Sequence, residues 1–391
     1  MAIPRTKPGN YPAILSYGFR PFFFMGTLYA GLAILAWLPL FYGWFETSSL
    51  FAPVDWHIHE MLFGYLAAVM TGFLLTAIPN WTGRLPVQGM PLLILVLIWL
   101  AGRFAVYFSG QIGWVAAGVI DCAFLLAVVF AAATEIVAGR NWRNLKVLIP
   151  VSVLLAANIV FHAEAHFSGI SDVGRRLGIG AAILLITIIG GRIIPSFTRN
   201  WLVRENPGRL PVPFNRFDAA AIGLSALALA LWAFLPARGV TGLALLAAAV
   251  VNVMRLGRWA GDRTFRDPLV VILHVAYAFI PLGMLLAALA ILYPETVAPA
   301  AAMHAFGVGA IGAMTLAVMV RATLGHTGRA LRAGKAGCFV FAAILIAAVV
   351  RIAAALGVPG DWPIHLAACA WAAAFLGFAV LYGPMIMRPR I

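Results

Sequence analysis

The chain has 391 residues, of which 63% are hydrophobic and only 10% are charged, and this composition excludes a water-soluble globular domain. Soluble domains carry about 45–50% apolar and about 25% charged residues, so this chain has too few polar side chains to cover a globule. The same figures exclude a disordered chain, and three cysteines are too few for a disulfide-stapled scaffold. The class that remains is a polytopic membrane protein, whose outer surface faces lipid.

Twelve stretches are long and apolar enough to cross a bilayer, which takes about 20 residues of helix. The segments between them are too short for a soluble domain, so we predict an all-α membrane helix bundle with one transmembrane domain over residues 1–391. The longest polar connection, residues 196–215, contains three prolines and is predicted to be a turn-rich loop. The predicted spans are 21–43, 57–78, 90–108, 111–138, 145–167, 174–195, 216–235, 239–257, 268–292, 297–321, 335–357 and 361–385.

The net charge of +14, from 27 Lys and Arg against 13 Asp and Glu, would suggest a nucleic-acid partner in a soluble protein. In a membrane protein, basic residues collect in cytoplasmic loops and set the orientation. Here 22 of the 27 cations, Arg5 and Arg84 among them, lie at the N-terminus and after even-numbered spans, and only three lie on the opposite side. This distribution predicts that both termini are cytoplasmic and that the protein has no nucleic-acid partner.

Six of the eight histidines are predicted to lie in one layer, near the outer ends of the spans. Ionisable side chains within spans usually face the bundle interior, and imidazole is a ligand of haem iron, copper and zinc. The layer therefore predicts a haem or metal site near the outer face, although a single histidine at a helix end can also bond a carbonyl. Its members are His57, His59, His162, His166, His304 and His365, while His274 and His326 lie toward the cytoplasm.

Spacing in the second span separates its two histidines. His57 and His59 are two residues apart, a rotation of about 200°, so they face different partners unless the helix start is irregular. Glu60 follows His57 by three residues and is predicted to hold its second ring nitrogen, a contact that fixes the tautomer of a metal ligand. Gly64 and Gly72 continue a small-residue face, which allows either close helix packing or a flat macrocycle against the backbone.

Polar residues in three other spans extend this pattern. Asn158, His162 and His166 recur every four residues and form one stripe on the fifth span. Asp121 in the fourth span and Arg103 in the third lie at depths that allow an ion pair, with a step on a proton path as the alternative.

Three cytoplasmic span ends are alike: IPNWTGR at 78–84, IPSFTRN at 194–200 and TLGHTGR at 323–329. When their threonines are aligned, His59 and His304 fall at the same offset, 23 residues upstream. We predict three four-helix pseudo-repeats from this match, against the alternative that short endings of this composition recur by chance.

Several strings together resemble the NnrS family. The resemblance extends from residue 16 to residue 390 and therefore covers essentially the whole chain. It implies a haem- and copper-containing, multi-pass protein of the bacterial inner (cytoplasmic) membrane, linked to nitric oxide, denitrification and resistance to nitrosative stress. The strings are SYGFRPFFF at 16–24, WHIHEMLFGY at 56–65, GFLLTAIPNWTGR at 72–84, GGRIIPSFTRNW at 190–201, MHAFGVGAIGAMTLAVMVRATLGHTGR at 303–329 and YGPMIMRPR at 382–390.

The resemblance and the histidine layer together give the expected site residues. No C-x-x-C-H motif is present, so the haem is expected to be a non-covalent haem b. We expect the haem ligands to be among His57, His59, His304 and His162, and the copper ligands among His166, His365 and Met303. Glu60, Arg103 and Asp121 are expected to support these ligands or to form a proton path. His274 and His326 are expected to form a second site. His326 could equally cap the loop after the tenth span.

The expected function is binding of nitric oxide or another small ligand by a haem or copper site, with an electron donor as a further partner. Whether nitric oxide is turned over or only bound stays open at this stage. One alternative is a transporter of copper, haem or a small ligand that uses the histidine layer as a transit site. Another is a signalling or assembly protein without catalysis.

Overall fold

The computed structural model describes residues 10–391, and within this range it contains helices and no strand. Twelve helices are long and apolar enough to cross a membrane, which confirms the predicted all-α class and helix count. Arg5, one of the predicted cytoplasmic cations, lies outside the described residues. The helices are α1 (Phe19–Phe41), α2 (Pro53–Thr82), α3 (Met90–Tyr107), α4 (Trp114–Ala138), α5 (Leu148–Ser168), α6 (Val173–Glu205), α7 (Arg216–Phe234), α8 (Gly239–Gly257), α9 (Pro268–Leu292), α10 (Pro299–His326), α11 (Gly334–Ala355) and α12 (Trp362–Met387).

Two helix ends differ from the predicted ones. Helix α2 begins at Pro53, so the histidines expected to open it lie one to two turns inside. Helix α6 continues through Pro195 to Glu205, and the prediction of a loop over 196–215 is wrong for its first ten residues. Hydropathy marks where a lipid-compatible composition ends, whereas i→i−4 hydrogen bonding extends the helix further into polar surroundings.

Two helices widen into a π-helix just after a histidine. In α2 the π-helical segment is Glu60–Leu66, directly after His59, and in α10 it is Ala305–Gly312, directly after His304. Segments of this kind are rare and occur frequently at functional sites. The two histidines of the predicted repeat thus share a local backbone geometry, while the repeat itself stays a prediction.

The chain divides into two compact units. The first contains residues 10–178, 322–330 and 375–391, and therefore α1 to α5 with the ends of α10 and α12. The second contains residues 179–321 and 331–374, and therefore α7 to α9, α11 and most of α6, α10 and α12. The prediction of one transmembrane domain over 1–391 stays a prediction.

The small-residue face of α2 serves helix packing within the first unit. A Cβ at Gly72 would overlap the ring of Phe23 and the Cβ of Phe22, two side chains that are fully buried in α1. A Cβ at Gly64 would overlap three polar side chains of the cluster described below. Side chains fill the space beside both glycines, so this face packs against neighbours and does not cradle a macrocycle.

Candidate metal centre

Five helices of the first unit place seven polar side chains in one buried group, which we call the His59–Asp121 cluster. His59 and Glu60 are 0% exposed and Asp121 is 2% exposed. Polar side chains within such apolar helices pair mainly with one another, and these contacts join the five helices. The members are Tyr29 of α1, His59 and Glu60 of α2, Arg103 of α3, Asp121 of α4, and Asn158 and His162 of α5.

The Asp121 carboxylate is the centre of the cluster. Its Oδ2 lies 2.7 Å from Asn158 Nδ2, 3.1 Å from His59 Nε2 and 3.1 Å from His162 Nε2. Its Oδ1 accepts a hydrogen bond from Arg103. Because a carboxylate only accepts, Asn158 must turn its amide N–H toward Asp121, which leaves Asn158 Oδ1 facing His59 Nε2 at 3.0 Å.

Glu60 supports the other side of the His59 ring. Its Oε1 lies 3.2 Å from His59 Nδ1, and its Oε2 accepts hydrogen bonds from Tyr29 and Arg103. The prediction had paired Glu60 with His57. The carboxylate turns to His59 instead because the guanidinium of Arg103 draws both Glu60 and Asp121 to the same point.

Both nitrogens of His59 therefore face oxygen atoms that accept hydrogen bonds. A neutral imidazole has one N–H and one bare lone pair, and that lone pair would face oxygens with no hydrogen between them. Formal charges give the same result, since Glu60 and Asp121 contribute −2 and Arg103 contributes +1, which leaves −1 in a buried site. One positive charge completes the cluster, either as a second proton on His59 or as a cation at its Nε2.

The ligand atoms of His59, Asp121 and His162 all lie within 4.8 Å of one another, the only such group of three His, Cys, Asp or Glu side chains within residues 10–391. Two ligands each about 2.1 Å from one ion are about 3.0–3.4 Å apart at angles from 90° to tetrahedral. The two 3.1 Å separations about Asp121 Oδ2 fit that geometry. Glu60 on Nδ1 of His59 matches the carboxylate–histidine–metal arrangement that orients a ligating ring.

Aromatic rings enclose the two histidines of the centre. Phe51 lies 4.9 Å from the His59 ring and 5.1 Å from the His162 ring, and Phe63 and Phe161 lie 5.1 and 5.3 Å from His59, all between ring centroids. These rings and the paired nitrogens leave no space for a macrocycle beside His59. The centre therefore fits a single ion and does not fit a haem.

Two other predicted ligands in the first unit pack against tryptophans. The His57 ring stacks on Trp37 at 4.4 Å, so His57 and His59 serve different partners, as their spacing indicates. His166 is exposed and stacks on Trp114 at 4.5 Å. The stripe on α5 thus delivers its first two members to the cluster, and its third lies outside it.

The predicted ligands Met303, His304 and His365 lie in the second unit and are half-buried. Neither of the two histidines belongs to a group of three His, Cys, Asp or Glu side chains with clustered ligand atoms among the residues that the structure describes. Position 307, three residues after His304, has no neighbouring atom within 4 Å of where a Cβ would lie. His304 is thus the predicted haem ligand that has a glycine with open space three residues away.

The two histidines predicted for a second site have separate surroundings. His274 lies in the second unit, where its Nε2 is 2.8 Å from Thr198 Oγ1. That hydroxyl donates to Ile194 O, so His274 is the donor to Thr198. His326 lies in the first unit and stacks on Tyr17 with 5.4 Å between ring centroids.

Four contributors to the centre were not predicted from the sequence: Tyr29, Phe51, Phe63 and Phe161. None of them belongs to a helical stripe of polar residues, and each reaches the cluster through a contact that no spacing encodes. Asp121 was recognised as an acid within a span, the signal that finds it, but its contacts with the two histidines were not predicted.

Comparison with known proteins identifies the family of this chain. The family described as NnrS protein matches residues 13–390, nearly the whole chain. No curated protein matches the chain. The chain therefore belongs to the NnrS family and is a multi-pass membrane protein related to nitric oxide.

Proposed function

We propose that this protein holds a copper ion at His59, His162 and Asp121 and binds nitric oxide there, in the cytoplasmic membrane of a bacterium. The observation that carries the proposal is the convergence of two imidazole nitrogens on Asp121 Oδ2, each at 3.1 Å, inside a buried cluster that lacks one positive charge.

Charge favours copper in its reduced form. With neutral histidines the cluster carries −1, so Cu(I) brings it to zero, whereas a divalent ion would leave +1 in a buried site. Imidazole is a suitable ligand for copper. Copper bound here would supply a one-electron redox couple and a position at which a diatomic ligand can bind.

The protein side chains have distinct roles in this proposal. His59, His162 and Asp121 hold the ion, and Glu60 keeps the His59 ring oriented with Nε2 toward it. Arg103 neutralises one of the two buried carboxylates, so that the cluster accepts a monovalent ion.

The surroundings of the site select a small neutral ligand. Nitric oxide carries no charge and reaches a membrane-embedded site without the desolvation cost that an anion such as nitrite would meet. The rings of Phe51, Phe63 and Phe161 exclude water and bulky molecules from the two histidines. An electron donor is needed for any turnover, and turnover is an outcome to be measured.

The haem implied by the family resemblance is proposed to bind elsewhere, at His304. Among the four expected haem ligands, only His304 has a glycine three residues away with open space where a side chain would lie. A flat macrocycle can approach the backbone at such a position.

Metal analysis of single variants tests these assignments. We expect purified wild-type protein to contain one copper per chain, and His59→Ala and His162→Ala to lose it. His166→Ala is the matched control, because it removes an imidazole of the same helix that lies outside the cluster and should keep the copper. His304→Ala should lose haem and keep copper.

Nitric oxide binding is measured on the reduced protein by infrared absorption with isotope-labelled gas. The isotope-sensitive band should be present in wild type and in His166→Ala and absent from His59→Ala and His162→Ala. Full copper content in both cluster variants, or none in wild type, would overturn the copper site. Copper without any nitric oxide band would favour the transporter alternative.

A further inference from the structure

The wall of the His59–Asp121 cluster contains one ring that does not come from a helix. Phe51 lies in the irregular segment 42–52, between α1 and α2, and is half-buried. Its ring contacts both histidines of the centre, at 4.9 Å from His59 and 5.1 Å from His162. Phe63 and Phe161, in contrast, are fixed within α2 and α5. Phe51 is therefore the part of the wall that can move with the least loss of helix packing.

The segment is anchored immediately before Phe51. The backbone N–H of Leu50 donates to Ser109 Oγ at 2.8 Å, and the N–H of Gly110 donates to Ser48 O at 2.8 Å. These bonds hold the segment against the end of α3. Phe51 thus covers the histidines from a short non-helical stretch between this anchor and Pro53, where α2 begins, and its own N–H donates to Ser49 Oγ at 3.2 Å.

A buried carboxyl group follows this segment directly, in the first turn of α2. Asp55 is 2% exposed and precedes His59 by four residues, so both side chains lie on one face of α2. Its Oδ2 accepts a hydrogen bond from the backbone N–H of Ser171 at 3.2 Å, whereas its Oδ1 has no hydrogen-bond partner. A buried carboxylate oxygen without a hydrogen-bond partner is unusual in a protein, and binding of a passing metal ion would explain it.

We infer that the metal ion enters and leaves the His59–Asp121 cluster through the α1–α2 segment, with Phe51 as the gate and Asp55 as a carboxyl ligand on the way. This inference rests on the proposed metal site. By the predicted orientation, the segment faces the periplasm, so the site would be loaded from outside the cell and not from the cytoplasm.

The rate of copper removal tests the gate. Copper-loaded, ascorbate-reduced protein is reconstituted in vesicles, and the membrane-impermeant chelator bathocuproine disulfonate is added outside. Phe51→Ala should release copper about tenfold faster than wild type, the change that a barrier lower by about 1.4 kcal/mol gives. Phe45→Ala is the matched control, since it removes a ring of the same segment that is 38% exposed, and it should change the rate less than about twofold.

Two further variants keep the inference testable if Phe51→Ala does not fold. Ser109→Ala releases the anchor of the segment and should also speed copper removal. Asp55→Asn should slow the uptake of Cu(I) by copper-free protein while the final copper content stays at one per chain.

A copper-independent measurement separates failure of the gate from failure of the copper site. Carbethoxylation of His59 and His162 by diethyl pyrocarbonate in copper-free protein, read by mass spectrometry, should be faster in Phe51→Ala and Ser109→Ala than in Phe45→Ala. Wild-type rates in both variants, for chelation and for carbethoxylation, would overturn the gate. A protein that binds no copper but shows faster carbethoxylation would overturn the proposed function and retain Phe51 as the gate.

Discussion

Replacement of Arg103 by methionine is expected to destabilise the first unit more than any other single change in the cluster. The guanidinium donates to Glu60 through Nη1 and to Asp121 through Nη2, and the side chains of both acids are 1% exposed. Methionine fills similar space without charge, so the formal charge of the cluster falls from −1 to −2. Removal of one partner from a buried ion pair costs about 3–5 kcal/mol, and here two carboxylates lose the same cation. We therefore expect a loss of about 4–5 kcal/mol.

A double-mutant cycle isolates the electrostatic part of this loss. Glu60→Gln in the Arg103→Met background returns the cluster to −1, so the double variant should recover about 2 kcal/mol or more relative to Arg103→Met. The free energy of unfolding is measured by titration with sodium dodecyl sulfate in mixed micelles, followed by far-ultraviolet circular dichroism. The control is Arg351→Met in α11, a half-buried arginine with no ion pair among the residues described, which should change stability by less than about 1 kcal/mol.

The cycle also tests the argument for a cation in the cluster. If Arg103→Met loses less than about 1 kcal/mol, or if the double variant is no more stable than the single one, the two acids are not buried anions that share one guanidinium. The count of −1, and with it the preference for Cu(I), would then be wrong.

Three further predictions concern stability under defined changes. Gly191→Ala places a Cβ on the guanidinium of Arg255 and should lower the free energy of unfolding by about 1–3 kcal/mol. Gly223→Ala has open space around it and should stabilise its helix by about 0.5–1 kcal/mol. Equal effects of the two variants in unfolding titrations would refute this contrast. Burial raises the pKa of Asp172, but hydrogen bonds and charges from Arg176 and the adjacent arginine outweigh it and hold the pKa below its usual value. Folding therefore favours the ionised form, and ionised Asp172 contributes under about 1 kcal/mol to the free energy of unfolding at neutral pH. This contribution is lost as the pH falls below about 4, so the stability difference between wild type and Asp172→Asn should vanish there. Cu(I) at about one hundred times its dissociation constant should stabilise wild type by about 2.7 kcal/mol, and a variant that lacks either histidine of the metal centre should show no such gain.

The sequence was sufficient to predict the membrane class, the all-α fold and twelve spans. A membrane span can be identified from local composition, because about 20 consecutive residues must each be compatible with lipid. Helix ends were predicted less accurately, as α2 and α6 show, because the backbone hydrogen bonds of a helix continue beyond its apolar stretch. The family could also be identified, because its motifs are contiguous strings.

The metal centre was only partly predictable. Histidines at one depth indicated a layer, and the four-residue stripe correctly set Asn158 and His162 on one face. His162 and His166 share one face of α5 and differ by one turn, about 6 Å along the helix axis, which is finer than a layer drawn from predicted span ends resolves. The layer therefore could not separate His162, which lies in the cluster, from His166, which stacks on Trp114. The rotation of each helix is set by packing against its neighbours.

The amino-acid composition that excluded a soluble protein thus determined by itself that this chain crosses a membrane, because the free energy of transfer into lipid is a sum of contributions from individual residues. Only the tertiary structure decided that Asp121 lies between two histidines, and that Glu60 and Arg103 complete the group. The hydrogen bonds of the whole cluster join residues up to 99 positions apart along the chain. Their energies depend on distance and orientation between five separate helices, and no local property of the sequence specifies those.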